Sequence, residues 1–240
     1  LGTEPRWLRF GDTFGENGEL TALMAQAYCD GFQTTQGSPD GWGDESVNTM
    51  VKHFPGGGPC EGGRDAHYAY GKYAVYPGDN FKEHLKPFLE GAFRLKDGTK
   101  CASAVMPYYT VSVGQDKKYG ENVGNSFSRY IITDLLRQEA GFDGVVCTDW
   151  AITHPEGGMR QSRGKCWGME TATDAERHLK ALEAGVDQFG GNQDAEPLLE
   201  AFRMGCAKYG EEAMDRRMRR SAVRLLLNMF RTGLFENPYL

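Results

Sequence analysis

Between Gly144 and Trp150 the chain runs apolar without alternation, then turns polar at Thr148 and Asp149. A strand with one wet face alternates; an unbroken apolar run of strand length suits a parallel strand covered on both faces. Three more segments have this character: Val47 to Phe54, which carries Lys52 and His53 near its end; Ala102 to Tyr109, which ends in Tyr108 and Tyr109; and the short Val186 to Phe189. Between them lie helical patterns. Glu19 to Gln33 places Leu20, Leu23, Met24, Ala27, Tyr28 and Phe32 at helical spacing, which predicts one buried face. Asn80 to Leu95 reads as a helix with a boundary at Pro87. Ser126 to Ala140 reads as a helix capped by Ser126, with Ile131, Ile132, Leu135 and Leu136 inward. Thr173 to Ala184 is closed by Gly185, and Ala195 to Met204 and Glu211 to Arg231 follow, with Gly233 placed to end the last.

Strands alternating with helices, each strand ending in polar or aromatic residues, predict an α/β fold of the (β/α)8 TIM-barrel type. Four strands are half of the eight such a barrel needs, so the expectation is an incomplete barrel covering its second half. Half a barrel leaves two strand edges unpaired and a core open on one side. The chain begins at Leu1 rather than Met and reads as an internal segment of a longer protein.

With 27 basic and 33 acidic residues the net charge is −6, which argues against a nucleic-acid partner. No apolar run approaches the length of a membrane span, and no signal-peptide pattern opens the chain. Six scattered cysteines form no disulfide pattern and favour a reducing, cytoplasmic compartment. His53, Cys60, His67 and His84 match no compact zinc spacing, so no metal is implied. The basic run Arg216, Arg217, Arg219 and Arg220 reads as a solvated helical face, with Met214, Met218, Leu225 and Met229 on the core side.

Four segments, in order, carry a resemblance. They are Pro5-Arg-Trp-Leu-Arg9 with Thr13-Phe-Gly-Glu16, Val51-Lys-His-Phe-Pro-Gly-Gly-Gly58, Gly141-Phe-Asp-Gly-Val-Val-Cys-Thr-Asp-Trp150, and Gly233-Leu-Phe-Glu-Asn-Pro-Tyr239. Together they resemble glycoside hydrolase family 3: a sugar-binding segment, the Lys-His-Phe strand, the nucleophile strand and the linker that closes the barrel domain, here about 232–240. The resemblance implies that residues 1–240 are the C-terminal portion of that barrel. It implies Asp149 as catalytic nucleophile, and Arg9, Lys52, His53, Tyr109 and Trp150 as substrate-binding residues, with Tyr108 an alternative to Tyr109.

The activity implied is that of a retaining exo-β-glycosidase, most simply a β-glucosidase, acting on carbohydrate without metal or organic cofactor. Such an enzyme attacks the anomeric carbon with one carboxylate and needs a second group as acid/base. Neighbouring Lys52 and Arg9 are expected to favour the charged nucleophile. In the glucosidase-like branch the acid/base comes from a separate α/β sandwich domain. In the β-N-acetylhexosaminidase branch it is an Asp-x-His dyad, which Asp65-Ala-His67 resembles, although Pro-Gly-Gly-Gly stands where that branch has Pro-Gly-His-Gly. The expected partners are therefore an N-terminal barrel segment and a C-terminal sandwich domain. Other readings are a processed segment inactive alone and, outside the family, a metal-dependent barrel hydrolase.

Overall fold

A computed structural model describes residues 1–155 and 165–238. The loop expected after Trp150 falls partly on 156–164, outside the described residues, as does Tyr239 of the tail segment. The chain begins with a turn-rich segment and helix α1 (Gly18–Gln33), followed by strand β1 (Met50–Phe54). A long loop carries strand β2 (Tyr73–Ala74) and leads to helix α2 (Phe81–Lys86), which changes at Pro87 into a π-wound turn, Pro87–Ala92. Strands β3 (Ala104–Pro107) and β4 (Val111–Ser112) precede a π-wound helix, Tyr130–Glu139. Strand β5 (Val145–Val146) and helices α3 (Asp174–Ala184), α4 (Glu196–Tyr209) and α5 (Glu211–Arg231) complete the order.

The main sheet is parallel in the order β1-β3-β5, and Cys147 bridges in parallel to Gln188, which sets 186–188 beside β5. Four expected strand positions therefore stand side by side in chain order, the fourth as a single bridge. The helical crossovers between parallel neighbours are those of βαβ units. All four residues of β3 are buried, as a central strand requires, whereas β1 pairs, among the described residues, only with β3 and alternates in exposure. Val105, Val146, Phe54, Ile132 and Leu136 meet in the largest core cluster. Burying each such side chain contributes about 1.5–3 kcal/mol.

The π-wound helix buries Ile131, Ile132, Leu135 and Leu136 as its spacing predicts, but Ser126 does not cap it. Ser126 lies in a preceding turn, and the hydroxyl of Ser128 accepts the Ile131 N–H instead. Thr173 and Glu176 form a reciprocal capping box on α3, which closes on left-handed Gly185. On α5 the Leu234 N–H reaches the Met229 carbonyl and the left-handed Gly233 N–H that of Phe230, a Schellman end.

Helix α1 departs from expectation. Leu20, Leu23, Met24, Tyr28 and Phe32 face solvent, and the buried side is Thr21, Ala22, Gln26, Cys29, Asp30 and Gln33. That side docks through polar groups. The Asp30 carboxylate accepts the Lys96 and Asp97 N–H groups, and Gln33 bonds to Thr49, Thr99, Cys101 and Ser103. A Cβ on Gly91 would lie 2.5 Å from the Ala22 carbonyl, so the two helical segments meet backbone to backbone. The apolar periodicity was a real stripe, but among the described residues no element covers it.

Helix α5 is corrected twice. Arg216 and Arg219 pair with Glu212 and Asp215 on the exposed face, but Arg217 reaches inward to the carbonyls of Leu182 and Val186. Met229 is exposed, unlike buried Met214. No helix among the described residues is long and apolar enough to cross a membrane.

Candidate active site

The C-terminal ends of β1, β3 and β5 converge, and this is where a parallel barrel places its chemistry. Asp149 lies three residues beyond β5 and is 3 % exposed. Its Oδ1 accepts the Trp150 N–H at 2.7 Å. Its Oδ2 is buried with no hydrogen bond among the described residues, 3.4 Å from Nε2 of His53. One carboxylate oxygen is thus anchored and the other is left available.

Burial pushes the Asp149 carboxyl above the usual range; the Trp150 N–H, the neighbouring Tyr109 hydroxyl and the charges of His67 and Lys52 pull it back without prevailing. Lys52 favours the charged form, as expected, but desolvation is larger. Burial also drives the His53 pKa well below its ordinary value, with the charges of Arg9 and Lys52 adding, so His53 is a neutral ring. It sits 4.8 Å from the Tyr108 ring.

The loop after β1 brings in Asp65 and His67. Nδ1 of His67 lies 2.5 Å from Oδ1 of Asp65, which also accepts the His67 backbone N–H at 2.9 Å. Oδ2 of Asp65 accepts the Trp7 indole N–H at 3.0 Å. Burial would raise Asp65, but the bonds from His67 and Trp7 outweigh it and hold the carboxyl below its usual range. The loop is fixed closely: a Cβ on Gly71 would fall 2.1 Å from the Asp65 carbonyl. With Nδ1 turned to Asp65, Nε2 is the ring nitrogen open to another group. The His67 ring stands edge-on to Tyr109 at 4.9 Å.

Tyr109 donates its hydroxyl to the Trp150 carbonyl at 3.0 Å, which seats it between His67 and Asp149. Tyr108 also lines the site, and its buried hydroxyl has no partner among the described residues. The sequence offers Tyr108 as an alternative to Tyr109, and the two rings stand together in one cluster, 5.7 Å apart. Trp150 is 60 % exposed, and its ring leaves no room for a side chain on Gly191, since a Cβ there would lie 2.4 Å away. Arg9 pairs with Asp12 at 3.1 Å and lies over Trp7 at 5.8 Å, while its charge still bears on His53 and Asp65. Arg9, Lys52 and His53 line a cavity of about 560 Å³. Among the described residues no group of His, Cys, Asp or Glu is arranged to hold a metal ion.

A family model described as the glycosyl hydrolase family 3 N terminal domain matches residues 1–226. The chain belongs to glycosyl hydrolase family 3. This family 3 chain is 43 % identical over 240 residues to the beta-glucosidase C of Emericella nidulans, covering 100 % of this chain and 36 % of that protein. It is 41 % identical over 251 residues to the periplasmic beta-glucosidase/beta-xylosidase of Dickeya chrysanthemi, again covering 100 % of this chain and 36 % of that one. A b-glucosidase structure from Erythrobacter marinus superposes with a TM-score of 0.71 at 26 % identity, over 99 % of this chain and 27 % of that chain. The family 3 chain thus spans about a third of the length of the curated relatives it matches.

Proposed function

We propose that this chain carries the nucleophile side of the active site of a retaining exo-β-glycosidase, with a β-glucoside as the preferred substrate. The observation that carries the reading is Asp149, whose Oδ1 is pinned by Trp150 while a buried Oδ2, without a hydrogen bond among the described residues, stands beside neutral His53. That oxygen attacks the anomeric carbon and expels the leaving group, giving a covalent glycosyl-enzyme that water then hydrolyses. Lys52, His53 and Arg9 bind sugar hydroxyls, and the exposed face of Trp150 stacks on the pyranose ring. The names of the relatives support glucosides first and xylosides second.

The rest of the site comes from further polypeptide. Four adjacent strand positions are half of a closed barrel. The edge of β1 and the apolar stripe on α1, both uncovered among the described residues, support an N-terminal barrel segment as the neighbour. A C-terminal α/β sandwich domain, reached through a linker at about 232–240, supplies the acid/base.

Incubation with an activated 2-fluoro-glucoside followed by peptide mass spectrometry tests the assignment. The expected result is an adduct on Asp149. An adduct on another residue of an active preparation overturns it.

Because protonated Asp149 cannot attack, kcat/KM falls as pH drops through the Asp149 pKa. Burial has raised that pKa, so the acid limb is expected above the ordinary value of about 3.9. A limb at or below that value in a pH-rate profile would mean that the site cations outweigh burial.

The short Asp65–His67 contact favours a second reading of the acid/base, in which His67 is the proton donor. On that reading His67→Ala loses about 10²–10⁴-fold on ordinary glucosides and regains most of it on substrates with acidic leaving groups. Wild-type rates on ordinary glucosides would return the role to the sandwich domain.

A further inference from the structure

A second cavity, of about 960 Å³, lies between the π-wound helix, α3, the end of α4, and α5. Asp143 and Gly185, which line it, precede β5 and the fourth strand position, whereas Asp149 follows β5. The cavity therefore lies toward the end of the sheet opposite Asp149.

Its charges do not balance. Lys180 and Lys208 have carboxylates of their own, Glu121 and Glu183. Arg137, Arg217 and Arg224 instead share the one buried carboxylate of Asp187, at 2.5, 3.7 and 3.1 Å. Among the described residues only Arg224 of these three has a second, the exposed Asp143 at 2.6 Å. The buried Nε of Arg137 has no hydrogen bond among the described residues. Arg220 also lines the cavity, and among the described residues it has neither hydrogen bond nor ion pair. Arg217, Arg220 and Arg224 stand at helical spacing on one face of α5, where like charges repel. Burial lowers the Arg217 pKa despite Asp187, and the charges of Arg224 and Arg220 lower it further.

A cleft lined by an excess of one sign concentrates ions of the other. Guanidinium forks match the oxygens of a phosphate, and its double charge answers more than one arginine at once. We propose that this cavity binds a phosphate group, free or carried as a monoester, with Arg220 as the contact left open for it beside the Asp187 arginines. The volume lies within the range of small-molecule pockets, so it admits a phosphate-bearing molecule as well as the bare ion. The proposal does not depend on the reading of Asp149.

The test is calorimetric titration of the intact polypeptide with inorganic phosphate and, separately, with methyl phosphate, at constant ionic strength. Saturable binding of at least one probe is expected. Binding of inorganic phosphate alone assigns the site to the free ion; binding of both assigns it to a phosphate group that a larger molecule can carry. Arg220→Gln is expected to weaken binding by about tenfold, the loss of one charged hydrogen-bonding partner. Arg220→Lys, which keeps the charge and loses the fork, is expected to fall between that variant and wild type. Arg216→Gln removes a charge that pairs with Glu212 on the exposed face and is expected to leave the affinity unchanged. Absence of saturable binding in wild type overturns the proposal. So does an affinity that Arg220→Gln leaves unmoved, or one that Arg216→Gln lowers equally, since either marks attraction to the surface at large.

Discussion

Asp149→Asn is expected to lower turnover by on the order of 10³-fold or more while the fold persists. The amide keeps an oxygen to accept the Trp150 N–H, so the local turn has no reason to change. It cannot form a glycosyl ester, so the reaction loses its first step. Folding should not suffer. A carboxyl whose pKa is raised on folding costs stability in its charged form at every pH above the folded value. Removing the charge lifts that cost, and the melting temperature near neutral pH is expected to stay level or rise slightly. Steady-state kinetics with a thermal melt checks both parts. Near-normal turnover would remove Asp149 as nucleophile; lost activity with a collapsed melt would show that the residue is structural.

Asp187→Ala is expected to destabilise the protein by about 3–5 kcal/mol, the cost typical of breaking a buried ion pair from one side. The Asp187 side chain is fully enclosed. Its Oδ2 accepts from Arg137 at 2.5 Å and from the Val146 N–H at 3.0 Å, and its Oδ1 from Ser221 at 2.6 Å and Arg224 at 3.1 Å. One carboxylate thus joins β5, the π-wound helix and α5. Burial has already lowered the Arg137 pKa to about 10, and its Nε has no partner among the described residues. Without Asp187 that guanidinium would be a buried charge lacking its counter-ion. Denaturant unfolding measures the loss. A change under about 1 kcal/mol would mean that solvent reaches the arginines readily.

These two residues mark what the sequence made legible. Asp149 could be picked out because it ends an unbroken apolar run inside a recognisable motif. Asp187 sits inside the equally readable strand segment 186–189, yet nothing in its neighbours announces three arginines arriving from 137, 217 and 224. Periodicity reports which face of a helix is apolar and not which face has a neighbour. That is why α1 was read with its buried side reversed and why Arg217 passed for a surface charge. Strand order and helix positions were readable because they depend on local pattern. Tyr108 could be named only as an alternative to Tyr109, because the rings each of them meets come from separate segments. The dyad's sequence was visible, but its closure through Trp7 was not, since that contact joins residues 58 positions apart.

The short length of β5 has a consequence for how Asp149 is held. Only Val145 and Val146 belong to the strand, so its ladder ends before the carboxylate. Beyond it, Thr148 N–H bonds to the Gln188 carbonyl, Gly190 N–H to the Thr148 hydroxyl, and Ala151 N–H to the Gly190 carbonyl. Asp149 is therefore stitched to a strand position that is itself a single bridge. In hydrogen–deuterium exchange the amides of Thr148, Ala151 and Gly190 should open together, at a lower free energy than the β3 amides. Loosening 186–190 would then unlatch the Asp149 carboxylate without touching it.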